Sequence, residues 1–151
     1  MHIVLLEKEF EEAELFVEKF QSVFDSFTVT YFEHLGDFLM GYDDLPAIDL
    51  IITEDRLSLM AVRDDHDEWS AKLKEHLPEV VTDWKHDEAA LRTLRHLRKS
   101  GLSMPMLVYT HSERDWLDAE LLNDPWVTYC QKDSSWYVLL NTVRSILAVP
   151  V

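Results

Sequence analysis

Apolar runs of four to six residues alternate along this chain with longer stretches whose apolar positions recur every three or four residues. The short runs fit strands buried on both faces and the longer stretches fit amphipathic helices, so the alternation predicts an α/β fold, a parallel sheet covered by helices on both sides. Strands are expected at residues 3–6, 27–32, 48–53, 106–110 and 126–131. The first helix spans 9–24, with Phe10, Ala13, Phe16 or Val17, Phe20 and Phe24 as its apolar stripe. A second is expected at 35–42. A third, at 87–99, is acidic at its start, basic at its end and stopped by Gly101. A fourth at 114–122 ends near Asn123-Asp124-Pro125, and a fifth at 135–147 presents Val138, Leu139, Val143, Ile146 and Leu147 to the core.

Residues 58–86 are an insertion that this scheme does not need. They are rich in charge and hold Trp69, Leu73, Leu77, Val80, Val81 and Trp84. A structureless loop of that length is unusual in a compact domain, so the segment is expected to carry at least one helix, near 68–76. It leaves directly from the carboxyl end of the third strand. A lid or partner surface and a segment that merely packs its tryptophans are equally good readings of it.

In an open α/β sheet, ligand crevices form beyond the carboxyl ends of the strands. The third strand ends in Glu54 and Asp55, the first in Glu7 and Lys8, the fourth in Thr110 and the fifth in Lys132. Four strand ends therefore direct six reactive or charged side chains toward one crevice, and these are the candidate functional residues.

The formal net charge of -15, from 29 acidic and 14 basic residues, argues against direct contact with nucleic acid or an anionic membrane surface. With 151 residues and 47% hydrophobic content, the chain is sized for a single domain spanning 1–151. It has no apolar run of the roughly 20 residues that span a bilayer, its first residues lack a secretory pattern, and its one cysteine, Cys130, permits no internal disulfide. A cytoplasmic location is the expectation.

The order of these residues resembles the receiver domain of two-component response regulators over nearly the whole chain outside the insertion. The resemblance rests on Asp49-Leu50-Ile51-Ile52-Thr53-Glu54, on Pro105-Met106-Leu107-Val108-Tyr109-Thr110-His111, and on Tyr129 three residues before Lys132. It implies a flavodoxin-like, doubly wound, five-stranded parallel sheet of order 2-1-3-4-5. It also implies a phosphoacceptor position at Glu54, an acidic pair at Glu7-Lys8, a hydroxyl at Thr110, a cation at Lys132 and an aromatic switch at Tyr129.

The working site is degenerate in this chain. Receivers catalyse their own phosphorylation by holding Mg²⁺ on carboxylates, and Lys8 stands where a second metal-binding carboxylate is expected; an ammonium there repels a divalent cation. Lys8 is expected to pair with Glu7 and Glu54, the alternative being that it snorkels outward and the site keeps weak metal affinity. Glu54 adds one methylene to the acceptor position, carrying its carboxylate outward by roughly 1.5 Å, about one C–C bond. Asp55 offers an authentic aspartate one residue later, but strand alternation sends neighbouring side chains to opposite sides, so only one of the two is expected in the crevice. His111 replaces a small residue and Asp133 replaces a proline.

The resemblance therefore implies an atypical receiver, a pseudo-receiver that is no enzyme and signals by contact with a protein partner, a sensor kinase or a downstream signalling protein. No cofactor is expected. The alternatives are a phosphorylatable receiver using Asp55 or Glu54 with Mg²⁺, and a small-molecule-binding module on the same fold. Trp116, Trp126, Trp136 and Tyr137 lie in or beside the fourth helix, fifth strand and fifth helix, a face that fits dimerisation or output, with at least two of the four expected in the core. His66, His76 and His86, with Asp64, Asp65 and Asp67, match no zinc spacing. Arg92, Arg95, His96 and Lys99 form a basic helix face that docks an acidic partner or the chain's own acidic insertion, or simply complements the helix dipole. No glycine-rich loop follows any strand, so nucleotide and flavin binding are not expected.

Overall fold

The computed structural model describes residues 1–57 and 89–148. The insertion at 58–86, its expected helix, and its histidines, aspartates and tryptophans lie outside these residues.

The described elements run β1 (His2–Leu6), α1 (Phe10–Gln21), β2 (Thr28–Phe32), α2 (Leu35–Gly41), β3 (Leu50–Thr53), α3 (Ala89–Lys99), β4 (Met106–Thr110), α4 (Ala119–Leu122), β5 (Val127–Gln131) and α5 (Trp136–Leu147). All strand pairs are parallel, and the sheet order is β2-β1-β3-β4-β5. This is the expected doubly wound, flavodoxin-like arrangement.

Strand alternation builds a core on each face. Ile3 and Leu5 join Leu50, Ile52 and Leu107 under α1 and α5, where Phe16, Phe20, Leu139 and Val143 meet them. Val4 and Leu6 join Ile51, Met106 and Val108 on the other face, against Phe38, Leu91, Leu94 and Leu121. The stripe of α1 is Ala13, Phe16 and Phe20, continued by Phe24 just beyond the helix. Phe10 is exposed in the first turn, which overhangs the sheet edge, and its ring lies tilted against Tyr31 at 6.3 Å. Val138, expected in the core, is exposed as well, because it shares its helical face with Thr142 and not with Leu139 and Val143.

The continuous helix expected at 114–122 is broken. A 3-10 turn at Arg114–Trp116 is followed by extended backbone at Leu117, and α4 is a single turn capped by Asp118, whose carboxylate accepts the Leu121 N–H at 3.0 Å. An aspartate stabilises a helix start better than a helix interior, and that preference splits the segment.

Ion pairs clamp this short helix to α3. Arg95 reaches Asp118 at 2.8 Å, Lys99 reaches Glu120 at 3.2 Å, and Arg98 grips both oxygens of Asp124 at 2.9 and 3.2 Å. Arg98 is the consequential one: its side chain is only 7% exposed and it also donates to the Met104 carbonyl. Replacement by methionine is expected to cost about 2 kcal/mol in urea unfolding, because it leaves a half-buried carbonyl and a carboxylate without their donor. Lys99→Met, which breaks an exposed pair, is expected to leave stability nearly unchanged in the same measurement.

Candidate functional site at the carboxyl edge of the sheet

Backbone pairing continues past the strand ends and sets the site. The Glu7 N–H donates to the Phe32 carbonyl, the Glu54 N–H to Leu6 and the Lys132 N–H to Thr110. The three residues are thereby held at the rim of β1, β3 and β5, and their side chains converge.

Lys132 is the hub. Its ammonium donates to Glu7 Oε2 at 2.7 Å, to Glu12 Oε2 at 2.6 Å and to Glu54 Oε2. The Lys132 side chain is 5% exposed and those of Glu7 and Glu54 are 6% exposed, so the cluster is desolvated on its inner side, with Glu12 facing partly outward. Burial works against the charge on Lys132, but the hydrogen bonds it donates to Glu12, Glu54 and Glu7 outweigh it and raise the ammonium's pKa.

Asp55 occupies a second, adjoining pocket. Thr110 Oγ1 donates to its Oδ1 at 2.5 Å and Ser112 Oγ to its Oδ2 at 2.7 Å. Burial opposes ionisation here, yet hydrogen bonds from Glu54, Thr110 and Ser112 hold the carboxyl below the usual range. Ser112 also accepts, through its carbonyl, the Tyr129 hydroxyl at 2.7 Å, while the Arg114 guanidinium stands 6.0 Å from the centre of the Tyr129 ring. At the mouth, His111 Nδ1 lies 2.9 Å from Asp133 Oδ1.

No protein-family model matches the sequence, and no curated protein matches it. Solved structures do. The chain superposes on the N-terminal domain of a response regulator, sensory box and GGDEF three-domain protein from Carboxydothermus hydrogenoformans with a TM-score of 0.66 at 13% identity, covering 99% of this chain and 95% of that one. The receiver domain of a Francisella response regulator gives 0.66 at 14% identity over 97% and 96%. A signal receiver domain from Clostridium thermocellum gives 0.59 at 20% identity over 98% of each chain. The fold is that of response-regulator receiver domains.

Within this receiver fold the six expected site residues do not act as one group. Glu7, Glu54 and Lys132 meet, Asp55 and Thr110 meet beside them, and Lys8 is exposed, away from both sets. The expectation that Lys8 pairs with Glu7 and Glu54 is thus corrected. Glu7 continues the β1 ladder with its side chain inward, so the next residue faces out.

The expectation that only one of Glu54 and Asp55 enters the crevice is also corrected. Glu54 still continues the β3 ladder through its N–H to the Leu6 carbonyl, but the chain turns after it, so alternation does not carry Asp55 outward and both are buried. Two participants were missed. Glu12 reaches the hub from the first turn of α1, and Ser112 lies two residues past Thr110. The acidic first turn of α1 was a signal for Glu12; nothing in the sequence marks Ser112.

The carboxylate oxygens of Glu7, Glu12 and Glu54 lie within 4.8 Å of one another, which is the donor chemistry of a divalent-cation site. The Lys132 ammonium, however, takes the position between them, and Lys8 supplies no oxygen. As arranged, these residues do not fit Mg²⁺. Trp136 is the one aromatic of the outer face that packs inward, its ring 6.3 Å from Phe16; Trp116, Trp126 and Tyr137 are exposed, so fewer of these side chains are core than expected. No helix among the described residues is long and apolar enough to cross a membrane.

Burial, together with the hydrogen bond to Asp55, pushes the Glu54 carboxyl up to about 7 against the pull of Lys132. The folded chain then keeps a proton that the unfolded chain releases at the ordinary, lower carboxyl value. The contribution is fully present below that lower value and is lost as pH rises through about 7. Glu54→Gln removes the titration. Its stability relative to the parent is expected to improve by about 2 kcal/mol between about pH 5 and about pH 8 in urea melts. A difference that stays constant with pH refutes the shared proton.

Proposed function

We propose that this chain is a single pseudo-receiver domain, a non-enzymatic signalling module that works through protein contacts and does not undergo Mg²⁺-dependent aspartyl phosphorylation. One observation carries the reading. The groups that would converge on one phosphoacceptor are divided between two carboxylates, Lys132 on Glu54 and Thr110 on Asp55.

Phosphoryl transfer needs positive charge and hydrogen-bond donors aimed at the same transferring group. Glu54 has the cation without the hydroxyl, and Asp55 has the hydroxyls without the cation. Both oxygens of Asp55 already accept hydrogen bonds, and Lys132 already serves three carboxylates. Glu54 holds permanently the contact with Lys132 that a transient modification would otherwise make.

Output through the face of α4, β5 and α5 suits this reading. Trp126 is 61% and Tyr137 71% exposed, and with Val138 they line a groove along β5 and α5 that fits a protein partner, including a second copy of the chain.

A phosphorylatable site at Asp55 is the second reading, favoured by its short bond from Thr110. Incubation with acetyl phosphate and Mg²⁺ followed by intact mass distinguishes the two. The expected result is an unmodified chain; stoichiometric addition of one phosphoryl group that Asp55→Asn abolishes overturns the proposal.

A further inference from the structure

A chain with a formal charge of -15 has few places where an acidic partner meets attraction. Among the described residues, Arg95, Arg98, Lys99 and Lys132 spend their charge on carboxylates of the same chain. Arg56 and Arg92 make no ion pair among the described residues, and both are exposed. One follows β3 and the other sits in the first turn of α3, so the topology brings them to the same side of the crevice.

They line one groove, of about 490 Å³, together with Leu91, Ser112, Trp116 and Leu117. Trp116 is 76% exposed, so the same groove carries an accessible indole and the two arginines. Asp55 and Asp118 also reach this groove. Asp118 is neutralised by Arg95 at 2.8 Å and caps α4, while Asp55 is buried and turned toward Thr110 and Ser112, so its single charge leaves the two exposed arginines in excess. Glu113 and Asp115 flank Arg114 on the adjoining turn, so the attractive field is confined to the Arg56 and Arg92 side.

We infer that this groove binds an acidic segment of a partner protein, in which carboxylates engage Arg56 and Arg92 while an apolar side chain lies on Trp116. The inference rests on the proposed signalling through protein contacts and names the chemistry of the partner. Arginine beside an exposed aromatic is the usual composition of an energetic centre in an interface. A basic partner would be attracted to most of this acidic surface and repelled here. The groove volume exceeds that of any one side chain, which suits an extended segment. Ser112 gives the site a connection inward: its hydroxyl holds Asp55 and its carbonyl holds Tyr129.

The test is fluorescence anisotropy with a fluorescein-labelled peptide of alternating glutamate and aspartate around a central leucine-phenylalanine pair, without any phosphodonor. Saturable binding that weakens with salt is expected. Arg56→Glu and Arg92→Glu should each weaken it about tenfold or more, and Trp116→Ala about fivefold. Lys19→Glu, the same charge change at the far end of α1, should leave it unchanged. Absence of saturable binding, insensitivity to either charge reversal, or equal competition by inorganic pyrophosphate overturns the inference, the last by making this an anion site only. Phosphoryl labelling by acetyl phosphate would overturn the pseudo-receiver reading and leave this binding result standing, so the two failures are distinguishable.

Discussion

One buried ammonium organises the functional end of this molecule. Lys132 is brought to the sheet edge by β5 and meets carboxylates from β1, β3 and α1. A lone ammonium so buried would cost several kcal/mol, and partners that are themselves buried repay that cost only when their geometry is close and their remaining oxygens are satisfied. Here negative charge is in excess: Glu7, Glu12, Glu54 and the neighbouring Asp55 face a single cation. The excess is relieved in two ways, by hydroxyl donors on Asp55 and by a proton retained on Glu54 to about neutral pH.

That arrangement explains why Lys132 and Thr110 serve different carboxylates. Glutamate is one methylene longer than aspartate, so a carboxylate at position 54 reaches the lysine directly and has no need of a bridging group. With position 54 committed to the lysine, the threonine hydroxyl is left for the next carboxylate, Asp55, which the end of β3 turns toward it. The two arrangements are compatible, since Asp55, held ionised by its hydroxyl donors, still accepts a hydrogen bond from the proton retained on Glu54.

Much of the fold was legible because the signals were periodic. The central strands had to be apolar on both faces, and Ile3, Val4, Leu5 and Leu6 are all buried as such a run requires. The long helices α1, α3 and α5 were legible for the same reason, and the strand order followed from a resemblance that the superpositions support. Periodicity failed where a single residue outweighed the pattern, as at Asp118, whose capping bond splits the fourth helix. In the site, residues at strand ends could be identified, but not their partners. Alternation was carried one residue too far at Asp55, and not applied at Lys8, where it does place the side chain outside. Glu12 and Ser112 lie on a helix and a loop, and contacts from such elements depend on tertiary placement that no local spacing encodes.

The same geometry separates what is rigid from what can carry a signal. The hub ties three strands and α1 together, and α4 is pinned to α3 by Arg95 and Arg98, so neither offers an easy second arrangement. Between them runs one hydrogen-bonded line among the described residues, from Asp55 through Ser112 to Tyr129, with the exposed Trp116 a few residues along the same loop. A switch needs a local charge or packing change and an element whose equilibrium that change biases. Under the function proposed above, the segment after β4 is the element that fits this requirement. It touches the buried carboxylates at one end, the surface groove at its middle and the hydroxyl of Tyr129 on β5.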